Sequence, residues 1–175
     1  MRRLLLLRHA KAERALPGER DFDRRLAARG REDAPLVGAY LARHGFRPDR
    51  IVVSPAARTR ETWDLVAAAL PMPPKAKFEE RIYDASTETL LAIARETKPE
   101  VQTLFMIGHN PGFHELAITL VATGDIEARQ RLNEGMPTSG LAIIEFALDR
   151  WDRLHPQSGR LSHFLTRHSI GASTD

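Results

Sequence analysis

The 175-residue chain contains no cysteine, which excludes disulfides, thiol nucleophiles and thiolate metal sites. It also has no apolar run near the roughly 18 residues that a membrane-spanning helix needs. The opening MRRLLLLRHA places two arginines before an apolar run, as a signal peptide does. That run is only four leucines long, against about 7–15 apolar residues in a signal peptide. We therefore predict a cytoplasmic protein with no membrane partner, whose leucines form a buried first strand.

Lysine is scarce as well, because only four of the 26 basic residues are lysine and the rest are arginine. Clustered arginine would suit the phosphate backbone of a nucleic acid. Here the cations are interleaved with 23 acidic residues, as in RDFDRRLAARGRED, and the net charge is only +3. We therefore expect no nucleic-acid partner.

The chain shows no internal repeat, no low-complexity linker and no shift in composition that would mark a domain boundary. Its length suits one domain with a substantial core. We predict a single domain over residues 1–170 and a disordered tail at 171–175. The segment 150–170 matches no pattern, and its role stays open.

Short apolar runs alternate with helical patterns, which is typical of an α/β fold with a mostly parallel sheet. The helices would lie on both faces of that sheet, giving a three-layer α/β/α sandwich. Strands are predicted at Arg3–Leu7, RIVVS (50–54), Phe78–Ile82, TLFMIG (103–108) and LAIIEFAL (141–148).

Four helix starts are marked by proline or serine. Apolar residues at helical spacing over 36–41 predict a helix with Pro35 in or near its first turn. Ser54-Pro55 and Asn110-Pro111 each predict an N-cap followed by the first helical residue. Ser86 is expected to cap a further helix.

Polar side chains follow three predicted strands where each one ends. These are Arg8-His9, SPAARTR (54–60) and His109-Asn110. The carboxyl ends of parallel strands share one edge of an open α/β sheet, and ligands bind there. Helix N-termini at the two prolines would point free N–H groups at the same place. These cations and hydrogen-bond donors occur without a carboxylate cluster or a Gly-rich loop. They therefore favour a site that binds a phosphoryl group over one that binds a nucleotide or a metal.

The motifs LLLLRHA, SPAARTRET and GHNPG, in this order and at these separations, resemble those of the histidine phosphatase superfamily, which has a phosphoglycerate mutase-like fold. DFDRRLAARGREDA and YDAS are similar to its short SixA-like phosphohistidine phosphatases. The resemblance covers residues 2–148. It departs from the Arg-His-Gly motif at Ala10, a small-for-small change that we expect the site to tolerate.

The resemblance implies that His9 is the nucleophile and is phosphorylated during turnover, while Arg8, Arg58 and His109 bind the phosphoryl oxygens. The chemistry of these residues agrees, because neutral imidazole is a competent nucleophile near pH 7. Guanidinium groups donate forked, charge-assisted hydrogen bonds to phosphoryl oxygens. These cations would replace a metal, so no cofactor is expected. Asn110 is predicted to cap a helix or, less favoured, to bind the phosphate.

Two alternatives concern the same residues. Arg60 lies two positions after Arg58. One of these two arginines would belong to the site, and the other would only be exposed to solvent. A metal site that joins His9 to Asp21 and Asp23 lacks the H-x-x-x-H and H-E-x-x-H spacings that place ligands on one helix face. Four other histidines lack companions and are expected at the surface or in packing: His44, His155, His163 and His168.

The general acid is the least certain part of the predicted site. Larger members of the superfamily have a carboxylic acid after the third strand, where this chain offers Glu79, Glu80 and Asp84. Asp84 lies nearest the catalytic edge and is the best candidate, with a turn carboxylate as its structural alternative. SixA-like proteins can lack a clear acid, because the nitrogen of phosphohistidine leaves far more easily than an alkoxide.

These observations predict a cofactor-independent phosphatase that acts through a phosphohistidine intermediate at His9. The expected substrate is phosphohistidine on a protein, since short loops leave an open cleft that admits a protein surface. One alternative is a phosphatase of small phosphomonoesters. The other is a non-catalytic phospho-binding module that kept the pocket and lost turnover.

Overall fold

A seven-stranded sheet crosses the centre of the computed structural model, which describes residues 1–172. The strands are β1 (Arg2–Arg8), β2 (Arg50–Val53), β3 (Lys77–Phe78), β4 (Thr103–Gly108), β5 (Val121–Gly124), β6 (Leu141–Phe146) and β7 (Gly159–Leu165). The α-helices are α1 (Ala28–Arg43), α2 (Ala57–Ala67), α3 (Thr87–Arg95), α4 (Gly112–Leu120), α5 (Ile126–Glu134) and α6 (Arg167–Ala172). Three short 3₁₀ turns span Asp21–Asp23, Glu80–Ile82 and Trp151–Arg153.

The strand order is β3-β2-β4-β1-β6-β7-β5. The first four strands in this order are parallel, β6 runs antiparallel to β1, and β7 runs antiparallel to β6. The strand β5 pairs in parallel with β7. The carboxyl ends of β1, β2 and β4 therefore meet at one edge, as the sequence predicted for a mostly parallel sheet.

The leucine run in β1 is buried on both faces of the sheet. Leu4 and Leu6 pack into the cluster under α3, α4 and α5, whereas Leu5 and Leu7 pack into the cluster under α1, α2 and α6. All four are 0% exposed, and each contributes on the order of 1.5–3 kcal/mol by leaving water. Helices thus cover both faces, which confirms the three-layer α/β/α sandwich.

The helix α1 begins two turns before the predicted position. Pro35 lies inside it instead of in its first turn, so that prediction is wrong. The apolar pattern was a poor guide because the first turns are rich in charged residues. Gly30 lets the first turn of α1 pack against the backbone of Lys11, because a Cβ atom at this position would clash with the Lys11 carbonyl oxygen.

The two proline-marked helix starts also differ from the prediction. The helices α2 and α4 begin at Ala57 and Gly112, after the prolines, and their N-cap residues are Ala56 and Pro111. Ser54 and Asn110 are therefore not N-caps, because their side chains form other hydrogen bonds, described below. The third cap is confirmed: the Ser86 hydroxyl oxygen accepts a hydrogen bond from the Thr89 N–H at 3.2 Å.

The predicted strand Phe78–Ile82 is shorter than expected. It ends at Phe78 because the Glu79 side chain accepts a hydrogen bond from the Arg81 N–H and starts the 3₁₀ turn that follows. The strands β5 and β7 were not predicted, and β7 lies in the unassigned segment 150–170. Its antiparallel register with β6 shifts between Ile143 and Ile144, which interrupts the alternation expected of a strand.

The end of the described chain overlaps the start of the predicted tail. Gly171 and Ala172 are the last residues of α6, and residues 173–175 lie outside the described part. None of the helices in residues 1–172 has the length and hydrophobicity needed to cross a bilayer.

Candidate active site

His9 directly follows β1 and is held by the backbone on both sides. Its N–H donates to the carbonyl oxygen of Gly108 at 3.0 Å, and its own carbonyl oxygen accepts from the Ser139 N–H at 3.1 Å. The imidazole Nδ1 lies 2.8 Å from the carbonyl oxygen of Ala10. A carbonyl oxygen only accepts hydrogen bonds, so Nδ1 carries the proton and Nε2 keeps its lone pair.

His9 is 7% exposed. Its pKa is lowered to about 4, mainly by burial and also by the positive charges of Arg58 and Arg8, although the hydrogen bond to Ala10 raises it. The ring is therefore neutral at physiological pH, which is the form that a nucleophilic imidazole requires.

Arg58, in the first turn of α2, is the residue that contacts the His9 ring. Its Nε donates to Nε2 of His9 at 3.3 Å. Its two terminal nitrogens donate to Asp21, one to the backbone oxygen at 2.8 Å and one to Oδ2 at 3.0 Å. Arg60 is exposed instead, with its guanidinium 3.9 Å from the centre of the Phe78 ring. The structure thus separates the two arginines that sequence left as alternatives.

His109 comes from the end of β4, and its ring centre lies 5.5 Å from that of His9. Its Nε2 is 2.7 Å from the hydroxyl oxygen of Ser54, which also accepts from the Ala56 N–H at 3.4 Å. Burial lowers the pKa of His109 to about 3, with Arg58 as the next cause. The other ring nitrogen of His109, Nδ1, is buried and has no hydrogen-bond partner among the described residues.

Arg8 and Asn110 are tied to one backbone oxygen. The carbonyl of Met136 accepts from a terminal nitrogen of Arg8 at 3.1 Å and from the side-chain amide of Asn110 at 2.7 Å. Burial lowers the pKa of Arg8, and the positive charge of Arg58 adds to this. The predicted phosphate-binding residues thus follow three strand ends: Arg58 and His109 lie beside the His9 ring, and Arg8 and Asn110 meet at the Met136 carbonyl.

Buried polar atoms without a hydrogen-bond partner are concentrated here. Of the six such side-chain atoms among the described residues, four belong to this site: Arg8 Nε, His109 Nδ1, Asn110 Oδ1 and Ser139 Oγ. Native proteins leave few buried polar groups unpaired, and each one calls for an explanation. Donors and acceptors gathered around two arginines suit an anionic ligand with several oxygens.

Two residues of this site, Asp21 and Tyr83, have contacts that were not predicted from the sequence. Tyr83 donates from its hydroxyl to Oδ2 of Asp21 at 2.6 Å, and its ring packs edge-on against His109 with centres 5.4 Å apart. Asp21 was considered only as a metal ligand. Among residues 1–172, no group of three or more His, Asp or Glu side chains could hold a metal ion. The signal for both was the similarity of the DFDRR and YDAS stretches to SixA-like proteins.

None of the three predicted general-acid candidates contacts His9. Asp84 is exposed, has a left-handed backbone (φ 56°), and has no hydrogen bond or ion pair in the part of the chain that the structure describes. Glu79 is buried and paired with Lys77 and Arg81. The hydrogen bonds from Arg81 outweigh burial and lower the pKa of Glu79 to about 2. Glu80 is exposed.

Comparisons with known proteins agree with this geometry. The family model for the histidine phosphatase superfamily (branch 1) matches residues 4–112. An uncharacterized protein of Mycobacterium leprae is 33% identical over 162 residues, which are 90% of this chain and 98% of that protein.

Two solved structures are similar over nearly the whole chain. One is the crystal structure of a candidate phosphohistidine phosphatase SixA from Agrobacterium tumefaciens. It has a TM-score of 0.80 and 34% identity, covering 94% of this chain and 97% of that one. The other is the protein histidine phosphatase SixA complexed with tungstate. It shares the fold with a TM-score of 0.72 at 20% identity, covering 96% of this chain and 99% of that one.

Proposed function

The chain belongs to the histidine phosphatase superfamily, and from that membership we propose that it removes phosphate from phosphohistidine on a protein. The proposed route is covalent, through a phosphohistidine intermediate at His9, and needs no cofactor. One observation carries it: His9 is buried and neutral, with its proton on Nδ1 and its Nε2 lone pair beside Arg58.

In the first step, Nε2 of His9 attacks the phosphorus in line with the leaving group. The Nε2–P bond forms as the bond between phosphorus and the substrate nitrogen breaks. A substrate ring that is protonated on its other nitrogen takes the bonding pair and leaves as neutral imidazole. His9 becomes a phosphorylated cation whose Nδ1–H donates to the carbonyl oxygen of Ala10. Arg8 and Arg58 stabilise the charge on the equatorial oxygens, which is the main demand of phosphoryl transfer.

In the second step, water attacks the phosphorus of phosphorylated His9. The O–P bond forms, the P–Nε2 bond breaks, and its electron pair returns to Nε2, so that His9 is again neutral. The protons of the water leave with inorganic phosphate and the solvent. Guanidinium groups fixed before the reaction provide this electrostatic stabilisation without reorganisation.

The chemistry of the leaving group distinguishes the two candidate substrate classes, phosphohistidine and phosphomonoesters. An alkoxide needs a general acid, whose help is typically worth about 10²–10⁴-fold. Two carboxylates near the site are already engaged, because Glu79 is paired with Arg81 and Asp21 is bound to Arg58 and Tyr83. The similar Agrobacterium structure, named for phosphohistidine, supports the same substrate class. The exposed Asp84 beside Tyr83 favours the second candidate, hydrolysis of small phosphomonoesters.

The test compares rates on a phosphohistidine protein, an aryl phosphate and an alkyl phosphate. We expect rapid hydrolysis of the first two, slow hydrolysis of the third, and no change with a chelator. His9→Ala should abolish all three activities while the protein stays folded. Efficient alkyl hydrolysis would move the function to phosphomonoesters, and phosphate binding without any turnover would indicate a binding module. We include the cytoplasm as the proposed location, since a chain without cysteine has no disulfide to suit an oxidising compartment.

A further inference from the structure

Asp21 accepts hydrogen bonds from the two terminal nitrogens of Arg58, on the side of the guanidinium that does not face His9. Its backbone oxygen and its Oδ2 each accept from one terminal nitrogen, at 2.8 and 3.0 Å, while the Nε of Arg58 faces His9. The side chain of Arg58 is only 7% exposed, and that of Asp21 is 51% exposed. The contact therefore joins a catalytic cation to the 3₁₀ turn Asp21–Asp23, which is far away in sequence.

We propose that Asp21 is a positioning residue that fixes Arg58 for phosphoryl binding, and that Tyr83 in turn holds Asp21 in place. This inference rests on the proposed role of Arg58 as a ligand of the phosphoryl group. Neither residue needs to touch the substrate, because both would act through the guanidinium.

Arg58 needs such a partner for two physical reasons. An arginine side chain loses much of its rotamer entropy when it is fixed in one position. The positive charge of Arg58 also acts on Arg8, whose pKa it helps to lower, so the two cations repel each other. The carboxylate of Asp21 offsets that repulsion and keeps Arg58 from turning toward solvent.

Asp21 is itself held in place. The Tyr83 hydroxyl donates to Oδ2 at 2.6 Å, and a terminal nitrogen of Arg24 donates to Oδ1 at 2.9 Å. These hydrogen bonds, with that of Tyr83 the largest cause, keep the pKa of Asp21 well below its usual range, so it is charged at neutral pH. The Phe22 ring packs edge-on against Tyr83 with centres 5.1 Å apart.

The loop of residues 12–26, which contains Asp21, is also closed at its base. Ala12 and Leu26 form an isolated antiparallel bridge, and the Glu13 N–H donates to the carbonyl oxygen of Arg25 at 2.8 Å. The loop therefore has a fixed base and a fixed tip, which lets a carboxylate on it hold Arg58 at a defined position.

The hydrogen bonds to Asp21 leave the Nε side of Arg58, which faces His9, available to a substrate. A guanidinium has five N–H donors, and the hydrogen bonds to Asp21 and His9 use three of them. The contact with His9 is long, at 3.3 Å. An arriving phosphoryl oxygen can take that donor and free the Nε2 lone pair, while Asp21 keeps the rest of the group in position.

The test is a double-mutant cycle read out by the binding of inorganic phosphate, measured by calorimetry. It uses the wild type, Asp21→Ala, Arg58→Ala and the double variant. We expect Asp21→Ala to weaken phosphate binding about 10-fold in the wild-type background and less than about 2-fold in the Arg58→Ala background, because residues acting through one another are not additive. Tyr83→Phe should give the same pattern with a smaller loss.

Asp23→Ala is the matched control. Asp23 lies in the same 3₁₀ turn but is paired with Arg20, so its loss should leave phosphate binding unchanged. Equal losses from Asp21→Ala in both backgrounds, or no loss in either, would overturn the inference. Absence of turnover with an intact coupling would instead overturn only the proposed function. Thermal unfolding of each variant identifies any that fails to fold, and Asp21→Asn, which keeps the shape and loses the charge, then takes its place.

Discussion

Nδ1 of His9 donates to the carbonyl oxygen of the next residue, Ala10, at 2.8 Å. This contact decides which ring nitrogen keeps its lone pair, and it uses only the backbone of Ala10. The side chain of Ala10 is 0% exposed and packs into the core, and its φ is not positive. Alanine can therefore stand where the superfamily motif has glycine.

The two buried histidines predict a loss of stability in acid. The pKa values of His9 and His109 are lowered to about 4 and about 3, against about 6.5 in the unfolded chain. The unfolded chain thus binds protons first as the pH falls. We expect the free energy of unfolding to be full above pH 6.5 and to fall below it by up to about 1.4 kcal/mol per pH unit and histidine. Urea unfolding at pH 7, 6 and 5 measures this slope.

The control separates these histidines from other groups that titrate in acid. A variant with both His9→Asn and His109→Asn should show a clearly shallower slope between pH 6.5 and 5 than the wild type. The exposed His155→Asn should keep the wild-type slope. Equal slopes in all three proteins would contradict the assignment of the acid sensitivity to the active-site pair.

The arginines of α2 give a second prediction. Arg58→Ala should lower kcat on an aryl phosphate by about 10²–10³, the scale for losing a preorganised charge-stabilising donor. Arg60→Ala is the control from the same helix, because Arg60 stacks on Phe78 and donates to the carbonyl oxygen of Pro55. It should leave kcat near the wild-type value. A larger loss from Arg60→Ala would show that the catalytic arginine has been misassigned.

Ser54 gives a third prediction. Its hydroxyl holds the ring of His109 at 2.7 Å, so Ser54→Ala should lower kcat by about 10–100-fold through misplacement of the ring and also cost about 1–3 kcal/mol of stability. Ser86→Ala is the control for that loss of stability, since it removes the N-cap of α3. It should cost about 1 kcal/mol of stability and leave kcat unchanged. Steady-state kinetics and thermal unfolding of the two variants together distinguish orientation of His109 from a general loss of stability.

The leaving-group series gives the fourth prediction. If no carboxylate acts as a general acid, Asp84→Asn should barely change kcat/KM for phosphohistidine or aryl phosphate, and the wild type should already be slow on alkyl phosphates. Glu80→Gln is the control, because Glu80 is another exposed carboxylate nearby. A loss in Asp84→Asn that rises steeply with the pKa of the leaving group, up to about 10²–10⁴-fold, would overturn the preference for phosphohistidine.

The central sheet was predictable because its strongest signals are local. The four leucines before Arg8 and the LFMIG segment of the strand before His109 are short apolar runs, and the polar residues that follow them mark the edge where the candidate site lies. Sequence order along the chain was enough to predict that these ends meet. The family resemblance favoured Arg58 over Arg60, and the structure separates the two.

Other parts of the site depend on contacts between distant residues, which one sequence does not reveal. Ser54 and Asn110 look like helix caps because serine and asparagine before proline are common there, yet tertiary hydrogen bonds use both side chains. Asp21 and Tyr83 are 62 positions apart in the chain. The strand β7 escaped notice because its residues 160 and 162–163 are polar, so it has no continuous apolar run.

The shared carbonyl of Met136 has a consequence for how this protein tolerates mutation. One backbone oxygen restrains both Arg8 and Asn110, and every amino acid carries that oxygen. A mutational scan at position 136 would report only on the buried thioether side chain and would miss this contribution entirely. Replacing the peptide bond after residue 136 with an ester would weaken the carbonyl oxygen as an acceptor and would reveal its contribution. Selection on this part of the site therefore acts on the path of the main chain, which leaves no signature in the identity of residue 136.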